Sequence, residues 1–190
     1  MDRLEQYAKE NNIPIMQKDG ILFLTKYIKE NNVKKILEIG SAIGYSAINM
    51  AKVSKDIKIV TIEKDENRYN EALKNIKEFN LNNQIKIILG DALETQIEGK
   101  FDLIFIDAAK AQYIKFFEKY KENLTNEGTI VSDNLLFHGL TKEGVVIKNR
   151  NLKQLVRKIN NYRSFLEENK EFNTKFIEIG DGIAISKRNI

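Results

Sequence analysis

The sequence predicts an α/β fold in which a doubly wound, mostly parallel sheet is covered by helices. Short apolar runs alternate with stretches whose apolar residues recur at helical spacing, as expected for parallel strands joined by helices. The first run ends at Gly40 and leads at once into a helical pattern, which is typical of a strand, a tight turn and a helix N-terminus. The last two β-rich runs are joined by Gly180-Asp181-Gly182, a hairpin signal. The sheet is therefore expected to end in one antiparallel C-terminal hairpin strand.

Two short helical patterns stand before the first strand. The first runs over Leu4–Asn11 and is broken at Ile13-Pro14, since proline ends a helix. Asp19 is expected to cap the second helix, whose apolar residues recur at helical spacing until Asn31-Asn32. We therefore expect two N-terminal helices within residues 1–32.

The rest of the chain alternates strands and helices without a repeat, linker or low-complexity tract. The strand that ends at Gly40 is followed by predicted strands over Ile57–Ile62, Gln84–Leu89, Phe101–Ile106, Thr129–Ser132, Thr174–Ile179 and Ile183–Lys187. Helical spacing follows Gly44, follows Asp65, runs through Tyr113–Tyr120, and gives a long amphipathic helix over Leu152–Leu166. At 190 residues, one domain over 1–190 is the natural expectation.

The composition excludes several classes of protein. The chain has no cysteine, so it can form no disulfide, thiolate metal site or cysteine nucleophile. It has no apolar run of roughly 18 residues and no apolar signal core at its start, so a cytoplasmic protein without a membrane partner is expected. The net charge of +4 and the pI of about 9.0 are compatible with a nucleic-acid partner, but AT-biased coding would produce the same balance.

The turn after the first strand is the first candidate binding site. Gly40 and Gly44 stand at a helix N-terminus, where unpaired N–H groups can hold a carboxylate or hydroxyl. The middle glycine that admits a pyrophosphate in dinucleotide sites is missing, so S-adenosylmethionine (SAM) is the better candidate ligand. Ser46 can bond the ligand's carboxylate or simply cap the helix, and the sequence weighs these interpretations equally.

Carboxylates follow the next strands, at the edge where open α/β sheets bind ligands. Glu63 ends the second strand and can accept hydrogen bonds from vicinal ribose hydroxyls. Asp91-Ala92 follows the third strand and would border the adenine, with Asp91 accepting from its amino group. Each residue alone could be an ordinary cap or turn residue, but the series favours a ligand site.

Three hard oxygen ligands end two later strands, namely Asp107, Asp133 and Asn134. Such ligands suit Mg²⁺, whereas zinc would require His or Cys, and the chain has one His and no Cys. Lys110 follows Asp107 by one helical turn and could act as a base, because a nearby cation lowers a lysine pKa; a solvated surface lysine is the alternative. His138 lies in the following loop, as a plain loop residue or at the edge of the substrate mouth.

Three stretches carry a family resemblance. Glu38–Ser46 reads EIGSAIGYS, Phe105–Tyr113 reads FIDAAKAQY, and Ser132–Gly139 reads SDNLLFHG. Together they resemble the class I SAM-dependent O-methyltransferases of the catechol and caffeoyl-CoA type, over nearly the whole chain. Within that family the sequence is most similar to the bacterial tRNA 5-hydroxyuridine methyltransferases.

The resemblance implies a Rossmann-like, seven-stranded sheet and a site with defined roles. Mg²⁺ would lie on Asp107, Asp133 and Asn134, with Lys110 as the catalytic lysine. The N-terminal helices (1–32) would cover the cofactor site, and a homodimer is possible in the family. Besides the turn glycine Gly40, the implied SAM contacts are Met16, Ser46, Glu63, Asp91, Ala92 and Asp107, the last shared with the metal.

The expected reaction is methyl transfer from SAM to a hydroxyl held at the Mg²⁺ site, with Lys110 taking or steering the proton. The expected substrate is 5-hydroxyuridine at the tRNA wobble position, giving 5-methoxyuridine. Ala108-Ala109 would leave room for a nucleotide where animal catechol enzymes have a His-Trp pair. A small-molecule catechol-type O-methyltransferase is the first alternative, and a non-catalytic SAM-binding protein is the second. The basic residues that could contact tRNA phosphates, or form only a solvated surface, are Arg150, Lys153, Arg157, Lys158, Lys187 and Arg188.

Overall fold

The computed structural model describes residues 1–136, 141 and 148–189. Helices α1 to α6 cover Asp2–Glu10, Lys18–Glu30, Tyr45–Ala51, Glu66–Glu78, Tyr113–Tyr120 and Arg150–Glu168. Strands β1 to β7 cover Lys35–Ile39, Lys58–Glu63, Ile85–Leu89, Phe101–Ile106, Leu124–Ser132, Phe172–Ile177 and Ile183–Arg188. Short 3₁₀ turns at Lys110–Gln112 and Lys121–Asn123 flank α5. Among these residues, no helix combines the length and the apolar character needed to cross a bilayer.

The seven strands form one sheet in the order β3-β2-β1-β4-β5-β7-β6. The pairs from β3 to β5 are parallel, whereas β7 runs antiparallel to both β5 and β6. The predicted doubly wound, mostly parallel sheet with one antiparallel C-terminal strand is thereby confirmed. The chain moves outward from β1 to β3 and then returns to β4, so the strand order reverses between β1 and β4. Ligands bind at such a switch point, outside the carboxyl ends of the strands.

Both faces of the sheet bury apolar side chains. In β1, Ile36 packs into a cluster that includes residues of α2 and α3, whereas Leu37 and Ile39 pack into a second cluster with α5 and α6. Successive strand residues point to opposite faces, so the apolar residues on both faces of β1 require helices on both sides of the sheet. In the second cluster, Phe117 meets Phe172 edge to face, with ring centroids 5.0 Å apart. These packed faces hold the strand ends in fixed positions.

Asp65 is the N-cap of α4, and its side chain accepts a hydrogen bond from Arg68 N at 2.9 Å. The prediction that Asp19 caps α2 is wrong, because the helix begins at Lys18 with Gln17 as its N-cap. Asp19 lies in the first turn of α2, where a carboxylate is favourable to the helix dipole.

Strand β5 is longer than the pattern predicts. It begins at Leu124 and not at the predicted Thr129, so Glu127-Gly128 lies inside the strand. A shift in the pairing of β5 with β4, between Phe101 and Leu103, accommodates the extra residues. The end of β5 at Ser132 is as predicted, and this end positions the candidate metal ligands.

Candidate active site

A cavity of about 980 Å³ opens at the carboxyl ends of β1 to β4. Asp133 is not part of its wall and is only 1% exposed, but it accepts a hydrogen bond from Asn134, which does line the cavity. The other residues predicted from the sequence line this cavity together, namely Met16, Gly40, Ser46, Glu63, Asp91, Ala92, Asp107, Lys110 and Asn134.

The turn after β1 needs glycine for two physical reasons. Gly40 has φ +95°, and a Cβ at this position would lie 2.3 Å from the carbonyl oxygen of Asp107. The ends of β1 and β4 can therefore approach each other only with glycine here. Gly44 has φ +81° and is the N-cap of α3. Ala42, between them, also has a positive φ of 45°.

Glu63 stabilises this turn from the end of β2. Its Oε2 accepts a hydrogen bond from Ala42 N at 2.7 Å, and its Oε1 accepts from Lys64 N and Asp65 N, each at 2.9 Å. The side chain is almost fully buried but lies on the cavity wall. Glu63 thus holds the strained Ala42 backbone and the entry to α4 at the place predicted for a ribose.

Glu38 is a buried carboxylate that the sequence reasoning did not single out for a role. It accepts hydrogen bonds from Ser46 Oγ and Thr61 Oγ1 and has no exposed surface. Burial raises the pKa of Glu38 to about 7. Ser46 lines the cavity, but its hydroxyl already donates a hydrogen bond to Glu38. A charged residue inside an otherwise apolar strand run was the available signal for Glu38.

Glu38 is expected to make the stability of the ligand-free protein depend on pH. Its folded pKa of about 7 exceeds the ordinary 4.5, so the folded state retains a proton that the unfolded state has lost. This stabilising contribution is complete below about pH 4.5 and is lost as the pH rises through about 7. In urea denaturation, the free energy of unfolding should therefore change less between about pH 5 and about pH 8 in Glu38→Gln than in wild type.

The exposed Glu30→Gln variant serves as the control and should keep the wild-type pH dependence. An unchanged pH dependence in Glu38→Gln would contradict the prediction.

The loop after β3 is held from α5. Asp91 accepts hydrogen bonds from Lys64 Nζ at 2.6 Å and from Leu93 N at 2.8 Å, which lowers the pKa of Asp91. Lys119 Nζ donates to the carbonyls of Ala92, Leu93 and Thr95 at 3.0, 2.7 and 2.8 Å. Tyr120 OH also donates to the Ala92 carbonyl, at 2.6 Å. These contacts fix the wall formed by Asp91 and Ala92, and no local sequence pattern indicates them.

The three predicted metal ligands lie together beside the cavity. Asn134 Nδ2 donates to Asp107 Oδ1 at 3.3 Å and to Asp133 Oδ2 at 3.0 Å. Among the described residues, Asp133 Oδ1 is buried and has no hydrogen-bond partner. Burial, together with the nearby Asp107 charge, raises the pKa of Asp133 to about 7. An unpartnered buried carboxylate oxygen is costly, so a cation would relieve it.

This donor set fits a hard divalent cation. Two carboxylates and one amide supply only oxygen ligands once the Asn134 amide is turned, and Mg²⁺ commonly takes few protein oxygens and keeps several waters. A softer metal such as zinc, which prefers His and Cys ligands, is poorly served by this all-oxygen donor set.

Lys110 reaches the same cluster from a 3₁₀ turn. Its Nζ lies 3.2 Å from Asp107 Oδ1 and 2.9 Å from Tyr113 OH. The predicted one-turn spacing does bring Lys110 to Asp107, but through the turn Lys110–Gln112, because α5 begins only at Tyr113. The Lys110 side chain is 14% exposed, so it is not an ordinary solvated surface lysine.

The segment between α1 and α2 supplies the remaining wall of the cavity. Pro14, Ile15, Met16 and Gln17 line it, and the Met16 side chain packs against Gly20. Phe137, His138 and Gly139, the last residues of the third motif, lie outside the described residues.

A comparison with known families completes the description of this site. The family model described as O-methyltransferase matches residues 1–189. The chain belongs to the O-methyltransferase family.

Individual proteins show how similar this O-methyltransferase is to its relatives. A Staphylococcus aureus crystal structure, provisionally named a caffeoyl-CoA O-methyltransferase, matches with a TM-score of 0.94 and 39% identity over 99% of this chain and 91% of that one. A catechol O-methyltransferase of Niastella koreensis is 31% identical over 80% of this chain and 72% of its own length. A Bacillus cereus O-methyltransferase in complex with SAH has a TM-score of 0.84 and 24% identity, over 99% of this chain and 90% of that one. The last match shows the shared fold alone.

Proposed function

We propose that this O-methyltransferase moves the methyl group of SAM to a substrate hydroxyl at the Asp107, Asp133 and Asn134 site, with Mg²⁺ bound there. The observation that carries the proposal is the buried, unpartnered Asp133 Oδ1, which lies beside Asp107, Asn134 and a half-buried lysine. When bound, Mg²⁺ supplies a positive charge that lowers the pKa of a substrate hydroxyl.

Lys110 is the proposed base. Its amine would take the hydroxyl proton, the substrate oxygen would form a bond to the methyl carbon, and the bond from that carbon to the SAM sulfur would break. Bringing two bound reactants into line can supply roughly 7–11 kcal/mol of the barrier. The packed strand ends that carry Asp107 and Asp133 support such fixed alignment.

The rest of the cavity is the proposed SAM site. The Gly40 turn would receive the methionine part, Glu63 the ribose and Asp91-Ala92 the adenine. Asp107 would contact the methionine amino group as well as the metal. Met16 and Ser46 complete the proposed contacts, and Ser46 would share its hydroxyl between SAM and Glu38.

The N-terminal helices are the proposed cover of this site within a single domain. Glu5 on α1 accepts a hydrogen bond from Tyr45 OH at 2.9 Å and pairs with Lys18 Nζ at 3.1 Å. Tyr45 lines the cavity, so these contacts tie both helices to its rim. A homodimer remains a separate prediction that sedimentation velocity of the full chain would test.

We further propose that the substrate is 5-hydroxyuridine at the wobble position of tRNA, and helix α6 supports a polyanionic substrate. Leu155 on α6 lines the cavity, and the helix has no acidic residue in its first turn, where acids would be favourable. Its exposed cations are Arg150, Lys153, Arg157 and Lys158.

The other predicted basic residues do not join this surface. Lys187 pairs with Thr129 in the sheet, at the end of β7 far from the β5 carboxyl end that carries Asp133. Arg188 forms an ion pair with Glu171 and donates to the Lys121 carbonyl at 2.8 Å. We therefore restrict the proposed tRNA contacts to α6.

Methylation of tRNA gives the direct test. Hypomodified tRNA incubated with the enzyme, SAM and Mg²⁺ should yield 5-methoxyuridine, detected by mass spectrometry of the nucleosides. Because phosphate contacts release counterions, kcat/KM for tRNA should fall at least roughly tenfold between about 50 and about 200 mM salt. The triple variant Arg150→Gln, Lys153→Gln, Arg157→Gln should lower kcat/KM for tRNA and flatten this salt dependence.

A matched triple variant controls for the loss of charge. Lys29→Gln, Lys55→Gln, Lys86→Gln removes the same charge from exposed residues near the opposite ends of β1 to β3. It should keep the wild-type rate on tRNA. Equal losses in both triple variants would contradict a tRNA surface on α6.

A small catechol-like diphenol is the alternative substrate, favoured by the similarity to the catechol O-methyltransferase of Niastella koreensis. The same Asp107, Lys110 and Asp133 cluster would serve it. A higher kcat/KM on a catechol than on tRNA, with no dependence on the α6 cations, would support this alternative. Turnover of either substrate would exclude a non-catalytic SAM-binding role.

A further inference from the structure

We propose that Tyr113 is a positioning residue for Lys110, holding the lysine amine toward the reacting hydroxyl. This inference rests on the proposed function, in which Lys110 acts as the base. It assigns a role to the tyrosine hydroxyl rather than to the ring alone.

The Tyr113 hydroxyl donates one hydrogen bond and accepts another. Its OH donates to the main-chain carbonyl of Asp133 at 3.1 Å. A phenol has a single hydrogen, so its oxygen can only accept from Lys110 Nζ, which lies 2.9 Å away. The hydroxyl therefore links the lysine to the backbone of a proposed metal ligand.

The tyrosine ring cannot easily move away from this position. It is 1% exposed and meets Tyr162 edge to face, with ring centroids 5.1 Å apart. Tyr162 OH is in turn hydrogen-bonded to Ser132 Oγ at 2.7 Å. This packing of the two rings fixes the position of the Tyr113 oxygen, and therefore the position of the acceptor for the Lys110 hydrogen bond.

Two of the three positions around Lys110 Nζ are thus engaged, one by Tyr113 OH and one by Asp107 Oδ1 at 3.2 Å. Nitrogen bound to the lysine chain is tetrahedral, so the third position is left for the cavity that Lys110 lines. Without the Tyr113 hydroxyl, the long lysine side chain would keep only the Asp107 contact. The amine would then sample more positions, and misplacement of a reacting group by about 1 Å can cost 10²-fold in rate.

The test removes the hydroxyl and keeps the ring. Tyr113→Phe should lower kcat at least roughly tenfold, while KM for SAM and the melting temperature stay close to wild type. Tyr27→Phe is the matched control, because it removes a tyrosine hydroxyl that is hydrogen-bonded to Thr129 Oγ1 at 2.9 Å, away from the carboxyl end of β5 and from Lys110. Its kcat should remain within about twofold of wild type.

A double-mutant cycle with Lys110→Ala separates positioning from general damage, using single-turnover rates so that slow variants remain measurable. Tyr113→Phe should have no further effect once Lys110 is alanine, since its action passes through the amine. An equal loss in both backgrounds, or wild-type kcat in Tyr113→Phe, would overturn the inference. Full activity of Lys110→Ala would instead overturn the proposed base, so the two failures are distinguishable.

Discussion

Replacement of Lys110 by methionine is expected to abolish most methyl transfer while SAM binding survives. Methionine keeps much of the length of the side chain but has no amine to take a proton. Loss of a positioned general base typically costs 10²–10⁴-fold, so kcat should fall at least roughly 10²-fold. The Lys110 side chain is 14% exposed and contacts Asp107 and Tyr113. It therefore belongs to the candidate site and is not a solvated surface lysine.

Isothermal titration with SAM measures cofactor binding, and single-turnover kinetics measure the rate of methyl transfer. The dissociation constant for SAM should change by less than about threefold, because the proposed adenine and ribose contacts lie at Asp91 and Glu63. Lys115→Met is the control: Lys115 is an exposed lysine of α5, and its loss should leave both quantities unchanged. Wild-type kcat in Lys110→Met would exclude Lys110 as the base.

Asp133→Asn tests the metal site with opposite effects on activity and on stability. The amide keeps the shape of the side chain but loses the negative charge, so Mg²⁺ binding and methyl transfer should both fall strongly, by roughly 10²-fold or more in kcat. The ligand-free protein should become more stable near pH 8, because burial disfavours the Asp133 carboxylate and has raised its pKa to about 7.

Thermal unfolding gives a measurement of the Asp133 prediction that does not depend on turnover. Mg²⁺ should raise the melting temperature of wild type and have little effect on Asp133→Asn, since only a bound ion stabilises the folded state. Asp56→Asn, at an exposed aspartate paired with Lys34, should behave as wild type. Full methyl transfer in EDTA, or an equal Mg²⁺ response in both proteins, would contradict the metal site.

The sequence predicted the fold and most of the cavity because both depend on strand ends. Parallel strands end at one edge, so Glu63, Asp91 and Asp107 could be brought together by pattern alone. The resemblance implied Met16, which stands in no strand, and the structure does place it on the cavity wall.

Contacts between distant segments could not be predicted in this way. Glu38 depends on Thr61 from the neighbouring strand, and Lys119 on carbonyls of a loop 24 to 27 residues away. Arg188, which looked like part of a basic surface, is paired with Glu171 by the β6 to β7 pairing. Such partners are set by sheet register and helix docking, which no local pattern encodes.

Helix α5 connects the two ends of the cavity. Its first residue, Tyr113, holds Lys110, and at its other end Lys119 and Tyr120 hold the loop behind the proposed adenine site. An eight-residue helix spans about 12 Å, so one rigid element sets the separation between nucleoside recognition and proton transfer. Helix α6 forms a different wall of the cavity, through Leu155, and does not set this separation. Substitutions on α6 can therefore change the substrate while the distance between the methyl donor, SAM, and the proposed base, Lys110, stays the same.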